Sequence, residues 1–166
     1  QIGDAAATAT TGYGPIVGAI APHAGYVYSG PVAATVYRAL QPTLRGQVQP
    51  PIALLGPAHY DSFVGFAAPR ATELMTPLGA VAVDHGAIDA LRASHRQVLV
   101  DDHPHAREHS LEVQLPFLQC ICGDHPVKVV PLLVGRVDRA ECAAVIATLA
   151  RSGKLVVVSS DLTHFH

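Results

Sequence analysis

Four short apolar runs constrain the fold of this chain more than any other feature of its sequence. Each is too short for a helix and lacks the polar alternation of a half-exposed strand, which indicates strands buried on both faces. Such strands occur where helices cover both sides of a sheet, and helix-patterned segments separate the runs. The sequence therefore predicts an α/β protein, a three-layer α/β/α sandwich with a largely parallel, mixed central sheet. The runs are residues 16–20, 52–55, 127–134 and 155–158.

Capping residues and breakers predict the elements between these runs. A small polar residue or glycine before a periodic apolar pattern marks a helix start, and proline is favoured in the first turn. Two further apolar runs, 63–68 and 80–83, predict a flanking hairpin, and 98–100 a short strand. The predicted helices run from Pro31, after a cap at Ser29 or Gly30, to Leu40; from an Asp84 cap to Ser94; from Glu108 to Ile121, with a kink at Pro116; and from an Asp138 cap to Arg151.

Length and composition narrow the class of protein. With 166 residues, 49% of them apolar, the chain can bury a core. We expect a flexible lead-in over residues 1–14 and one domain over 15–166 that lacks a C-terminal part. The formal charge of -2 comes without a basic stripe, which argues against nucleic acid. No apolar run approaches the roughly 20 residues that span a bilayer, so we expect no membrane partner. Three cysteines indicate reduced thiols and a cytoplasmic location.

Polar loops follow three of the predicted strands. His23 comes after the first run, His59 after the second, and Asp161 and His164 after the last. The carboxyl ends of parallel strands lie at one edge of a sheet, so these side chains are expected to converge in one cleft. The predicted helix that opens at Glu108 would bring further polar residues to the rim of that cleft. These are Glu108, His109 and Glu112, and either Tyr26 or Tyr28 is expected to enter the cleft from the first loop.

Two histidines with a carboxylate are typical of non-haem Fe(II) sites, and imidazole also suits Zn and Cu. Each histidine taken alone fits a second interpretation, in which it caps a strand or hydrogen-bonds a loop. A separate set, Cys120 and Cys122 with His125, contains ligand-type residues in an apolar helix end. Packed, inert thiols are the expected state there.

The chain resembles the Memo family, whose microbial members are called AmmeMemoRadiSam system protein B. Four motifs carry the resemblance: P-H-A-G-Y-V-Y-S-G at 22–30, L-G-P-A-H at 55–59, E-H-S-L-E-V-Q-L-P-F-L at 108–118 and S-S-D-L-T-H-F at 159–165. That family is similar in fold to the LigB-type class III extradiol dioxygenases, a non-haem iron class. The resemblance implies His23 and His59 as metal ligands and Asp161 and His164 in the same cleft, with His164 as the acid/base. It also implies a third ligand, a cysteine beyond His166, and a functional association with radical-SAM and AMMECR-type proteins.

Three functions are compatible with these residues. In the first, iron at His23 and His59 supports dioxygenase or redox chemistry on a small substrate, His164 moves a proton, and Asp161 orients it. In the second, the cleft binds a peptide or partner protein without turnover. In the third, the same ligands hold zinc for hydrolysis. Metal analysis of protein without an affinity tag distinguishes the three.

Overall fold

The computed structural model describes residues 16–45 and 50–161, which form an eight-stranded mixed sheet with helices on both faces. The predictions made for residues 1–14 and for His164 lie outside the described residues. The strands are β1 (Gly18–Ala21), β2 (Ile52–Pro57), β3 (Phe66–Ala68), β4 (Glu73–Thr76), β5 (Gly79–Val83), β6 (Val98–Val100), β7 (Lys128–Val134) and β8 (Leu155–Ser159). The helices are α1 (Tyr26–Leu44), α2 (His85–Ser94), α3 (Leu115–Cys122) and α4 (Arg139–Arg151), with 3₁₀ turns at His103–His105 and Glu112–Gln114.

The four apolar runs are neighbours in one sheet, as the sequence predicts. The order along the sheet is β1-β8-β2-β7-β3-β6. The first four of these strands pair in parallel, with Ala21 opposite Ser159 and Leu55 opposite Val158. Beyond them, β3 pairs antiparallel to β7 and parallel to β6, which makes the sheet mixed. The carboxyl ends of β1, β8 and β2 therefore lie side by side.

Apolar side chains from the helices bury both faces of the sheet. Tyr37 of α1 and Leu118 of α3 belong to one core cluster. Ile88 of α2 and Val145 of α4 belong to a second cluster. Both clusters include side chains of the central strands, which alternate between the two faces. This arrangement confirms the predicted three-layer α/β/α sandwich.

The first predicted strand is not buried on both faces. Ile20 is 55% exposed and Val17 is 69% exposed, whereas Ala21 is buried. The physical reason is position, because β1 lies at the end of the strand order and has β8 as its neighbour on one side. An apolar run shorter than six residues does not distinguish a central strand from a strand at the edge.

The predicted hairpin between residues 63–68 and 80–83 is wrong. β5 pairs with β4 on one side and with β7 on the other. The paired residues Thr76 and Gly79 of β4 and β5 are separated by two residues, Pro77 and Leu78. Gly79 has a φ of +113°, a conformation that suits glycine. A two-residue connection costs little loop entropy, so the local hairpin forms and β3 joins the main sheet beside β7.

The first helix starts earlier than predicted. Gly25 is the N-cap and Tyr26 the first residue, so Pro31 lies inside the helix and removes one backbone hydrogen bond. The amide of Tyr28 donates to the Gly25 carbonyl, and the Ser29 hydroxyl donates to the Ala24 carbonyl. These bonds in the loop that follows β1 begin the helix before the capping residues predicted from the sequence.

The segment after Glu108 is a turn and not the start of a long helix. The Glu108 carboxylate accepts hydrogen bonds from the amides of His109 and Ser110. A side chain that binds its own following amides competes with helix formation. The α-helix begins only at Leu115, with Pro116 in its first turn, where proline causes no kink.

None of the helices in the described ranges combines the length and apolar character that a bilayer crossing requires.

Candidate metal centre

Three histidines meet at the carboxyl edge of the sheet. His23 lies two residues beyond β1, His59 two residues beyond β2, and His109 in the turn before α3. The His59 and His109 rings are 5.0 Å apart and nearly parallel, and the His23 ring lies 5.1 Å from His59 and 5.8 Å from His109. One potential ligand atom from each lies within 4.8 Å of the others. His23 is buried, whereas His59 is exposed, so the group is open to solvent on the His59 side.

The hydrogen bonds of His23 fix which ring nitrogen carries the proton. Its Nδ1 lies 3.0 Å from the Ser159 hydroxyl oxygen. That hydroxyl donates its only proton to the Ser110 carbonyl, 2.5 Å away. Because Ser159 has no second proton, it must accept from Nδ1–H of His23. The neutral ring therefore has its Nε2 lone pair free, as a metal ligand requires.

Glu108 fixes the tautomer of His59 in the same way. The carboxylate oxygen Oε1 lies 2.9 Å from His59 Nδ1, and Oε2 accepts from the backbone amide of His59. A carboxylate only accepts, so Nδ1 of His59 carries the proton and Nε2 is free. His109 Nδ1 lies 3.4 Å from the same Oε1 atom. Glu108 thus holds two of the three histidines through one buried side chain, which is 1% exposed.

A glycine lets the Glu108 turn approach β2. A Cβ atom at Gly56 would lie 2.8 Å from both the Ser110 hydroxyl and the Leu111 side chain, so any larger residue would force the turn away. The Ser110 hydroxyl donates to the carbonyl of Pro57, 2.8 Å away. The glycine of the L-G-P-A-H motif is therefore part of the geometry that brings Glu108 to His59.

A buried polar network supports Ser159 from the opposite side. The Gln114 amide donates to the Ser159 hydroxyl at 2.8 Å and to the Pro22 carbonyl at 2.9 Å. Its carbonyl oxygen accepts from the Tyr37 hydroxyl at 2.8 Å. Gln114 is fully buried, and among the described residues no buried side-chain nitrogen or oxygen lacks a partner. A fully satisfied network of this kind holds its members in one arrangement.

Asp161 shapes the loop that carries His23. Its Oδ1 accepts from the backbone amides of His23 and Ala24, at 2.6 and 2.8 Å. Its Oδ2 lies 3.8 Å from His23 Nε2. Asp161 comes two residues after β8, which pairs with β1, so the two loops are neighbours. In the described structure this aspartate holds the position of a histidine through the backbone.

Two pKa shifts favour the protonation states that metal binding needs. Burial lowers the pKa of His23, against the opposing attraction of Asp161, so the neutral ring is favoured. Burial alone would raise the pKa of Glu108. Hydrogen bonds from His59, through both its backbone and its ring, and from Ser110 outweigh that effect and lower the pKa to about 2.

The other residues predicted for the cleft are Tyr26 and Tyr28, which lie in α1, and Glu112, which lies in the 3₁₀ turn before α3. Tyr26 donates to the carbonyl of Val113 and packs edge-on against Phe117. Tyr28 is 84% exposed. Glu112 begins the 3₁₀ turn that precedes α3. None of the three belongs to the histidine group.

His109 lies in a different place from the one that its sequence pattern predicts. The pattern predicts a position at the rim of the cleft, on a helix, whereas the turn at Glu108 places His109 against His59. Within residues 16–45 and 50–161, the three histidines are the one group with metal-ligand geometry. Cys120 is exposed, Cys122 is buried, and neither belongs to such a group. The adjacent pair Glu108-His109 was the available signal, because a carboxylate next to a histidine can orient other histidines.

Fold and site together define an α/β protein with a three-histidine centre at the carboxyl edge of a mostly parallel sheet. Residues 7–166 match the family model described as Memo-like protein. The chain belongs to this family.

Curated relatives agree with the family model. A "MEMO1 family protein" from Methanosarcina barkeri is 42% identical over 159 residues, which cover 90% of this chain and 55% of the relative. Proteins with the same description from Pyrobaculum aerophilum and Thermotoga maritima are 37% and 35% identical, over 92% and 90% of this chain and 54% of each relative. The chain thus spans about half the length of these relatives.

Proposed function

We propose that this protein is a non-haem metalloprotein in which His23, His59 and His109 hold one divalent metal ion. Fe(II) is the first candidate, and Cu or Zn are the other metals that imidazole ligands suit. The proposed activity is a dioxygenase-like or redox reaction on a small molecule.

One observation carries the proposal: Ser159 and Glu108 hold the protons of His23 and His59 on Nδ1, so both Nε2 atoms are free beside His109. Histidines that only cap strands need no such arrangement. Metal-binding histidines normally donate their second ring N–H to a carboxylate, hydroxyl or carbonyl, because this bond fixes the ring and increases its basicity.

The residues of the chain have separate tasks in this proposal. Bound Fe(II) supplies redox chemistry and open coordination positions. Glu108 orients His59 and His109, and Ser159 orients His23. Asp161 holds the loop of His23. His164, which follows Asp161 in the S-S-D-L-T-H-F motif, is proposed to move a proton to or from the bound substrate.

Zinc-dependent hydrolysis is the second candidate function. Three imidazole nitrogens with no other protein ligand are also the donor set of some catalytic zinc sites. Imidazole ligands suit both metals, so metal titration distinguishes the two functions.

Metal titration tests the proposal. The wild type and the variants His23→Ala, His59→Ala and His109→Ala are titrated with Fe(II) without oxygen and with Zn(II), using a competing chelator. We expect each variant to bind metal more than roughly 100-fold more weakly, because loss of a ligand exceeds the 10- to 100-fold cost of losing a supporting hydrogen bond. His164→Ala is expected to spare binding and to impair turnover.

His85→Ala is the matched control, since His85 is a half-exposed histidine whose ring contacts a loop carbonyl, far along the chain from the centre. It should bind metal like the wild type. Equal affinity in all variants would overturn the proposal. Stoichiometric iron with oxygen consumption supports the first function, and zinc with hydrolysis of an ester probe supports the second. Retained peptide binding in metal-free variants would instead support a binding module.

A further inference from the structure

Among the residues that the structure describes, Arg107 has no acidic partner, and it lies beside the three-histidine centre. Its guanidinium carbon lies 5.2 Å above the centre of the Tyr60 ring. That ring in turn lies 6.2 Å from the ring of His109 and 6.5 Å from that of His59. Arg107 is also the residue directly before Glu108, and it is exposed to solvent.

The nearby acids are engaged elsewhere. Asp61, the neighbour of Tyr60, lies 3.4 Å from Nδ1 of His103. Glu108 accepts from His59, His109 and Ser110. Over residues 16–45 and 50–161, Arg107 forms no ion pair or hydrogen bond, and its contact is the Tyr60 ring. Its N–H groups are therefore available to an acceptor that does not belong to the described chain.

The guanidinium of Arg107 suits an anionic ligand, because it carries a positive charge and its N–H groups only donate hydrogen bonds. Guanidinium N–H groups form paired, charge-assisted hydrogen bonds with carboxylates, and stacking on an aromatic ring leaves their edge free for such a bond.

We propose that Arg107, held over Tyr60, anchors the carboxylate of a small substrate whose remaining part extends to the three-histidine centre. This inference rests on the proposed function and specifies its substrate class. A phosphate dianion shares the oxyanion chemistry, so phenyl phosphate serves as the competing probe.

Binding of small aromatic probes tests the inference. Benzoate, its neutral isostere benzamide and phenyl phosphate are titrated by calorimetry into wild-type, Arg107→Gln and Arg107→Lys protein, each metal-free and loaded with Zn(II). We expect Arg107→Gln to weaken benzoate binding roughly 10- to 100-fold and to leave benzamide binding unchanged. Arg107→Lys should lie between, because lysine retains the charge but not the paired geometry. Zn(II) affinity without benzoate should not change.

Arg151→Gln is the matched control, an exposed arginine in the last turn of α4, where the chain returns towards the start of β8. It should bind benzoate like the wild type. Equal benzoate affinity in wild type and Arg107→Gln, or no benzoate binding to either, would overturn the inference. Tighter, Arg107-dependent binding of phenyl phosphate would overturn the assignment to a carboxylate. If the wild type binds no metal, the proposed function fails, whereas the metal-free titrations still decide the role of Arg107.

Discussion

Replacing Glu108 by glutamine keeps the shape of the side chain and removes its charge and one acceptor. The carboxylate accepts from the His59 ring and from the amides of His59, His109 and Ser110. Whichever way the glutamine amide is turned, its NH₂ group faces an N–H donor of this set. At least one buried amide or ring N–H then loses its acceptor, in a place that water does not reach.

The size of the effect follows from the Glu108 pKa. A fall from 4.5 to about 2 corresponds to about 3 kcal/mol of preference for the charged form, because one pKa unit equals about 1.4 kcal/mol. The folded-state pKa is depressed, so this contribution is complete above pH 4.5 and is lost as the pH falls towards 2. The unfolding free energy of Glu108→Gln at pH 7 should therefore be about 3 kcal/mol lower than that of the wild type. The variant should also lack the loss of stability that protonation of Glu108 causes between pH 4.5 and about 2.

Urea denaturation of the metal-free protein at pH 7, followed by the same measurement at decreasing pH, provides the assay. Metal titration of the variant gives a second readout, with a loss of about 10- to 100-fold expected from the freed His59 ring. Glu141→Gln is the matched control. Glu141 also faces a histidine, His95, at 3.5 Å, but its side chain is 27% exposed, so its loss should cost less than about 1 kcal/mol.

Equal destabilisation by Glu108→Gln and Glu141→Gln would refute the view that Glu108 is held as a buried anion. Wild-type metal affinity in a folded Glu108→Gln protein would refute its role in orienting the histidines. The two results are independent, since the first concerns the unfolding free energy and the second concerns the native site.

Three further predictions concern other parts of the fold. Replacing both Cys120 and Cys122 by alanine should leave metal content unchanged, measured by elemental analysis, because neither thiol joins the metal-ligand group. Gly65→Ala should cost more than about 2 kcal/mol in denaturation experiments, since Gly65 has a φ of +92° and a Cβ would meet the backbone carbonyl of Gln97. Burial lowers the pKa of His105, so wild-type stability should fall as the pH drops below about 6.5, and His105→Gln should reduce that fall.

Each of these predictions has its own control and contrary result. Cys142→Ala replaces a thiol that packs beside the other core cluster, and loss of metal only in the double variant would point to a cysteine site. Gly79 also has a positive φ, but a Cβ there would meet no atom within 4 Å. Equal losses of stability in Gly65→Ala and Gly79→Ala would show that backbone conformation, and not the clash with Gln97, is the cause. An unchanged pH profile in His105→Gln would show that this ring is protonated equally in both states.

The sequence alone determined the class of fold. Short apolar runs predicted β1, β2, β7 and β8, because runs without polar alternation are typical of strands in a sheet that helices cover. Capping aspartates such as Asp84 and Asp138 bind the local amides of their own helices. His23 and His59 were also within reach of sequence reasoning, since each follows a strand and parallel strands end at one edge. These inferences depend on neighbours in sequence.

Only the tertiary structure decided the rest. The strand β4 carries polar residues and forms because β5 returns beside it, and β1 is exposed because of its place in the sheet order. Glu108 begins a turn because its carboxylate finds the His59 ring and amide, forty-nine positions away in the chain. That same contact places His109 beside His59 in the three-histidine group and not at the rim of the cleft. Hydrogen bonds between distant segments have no periodicity in the sequence, so no local pattern predicts them.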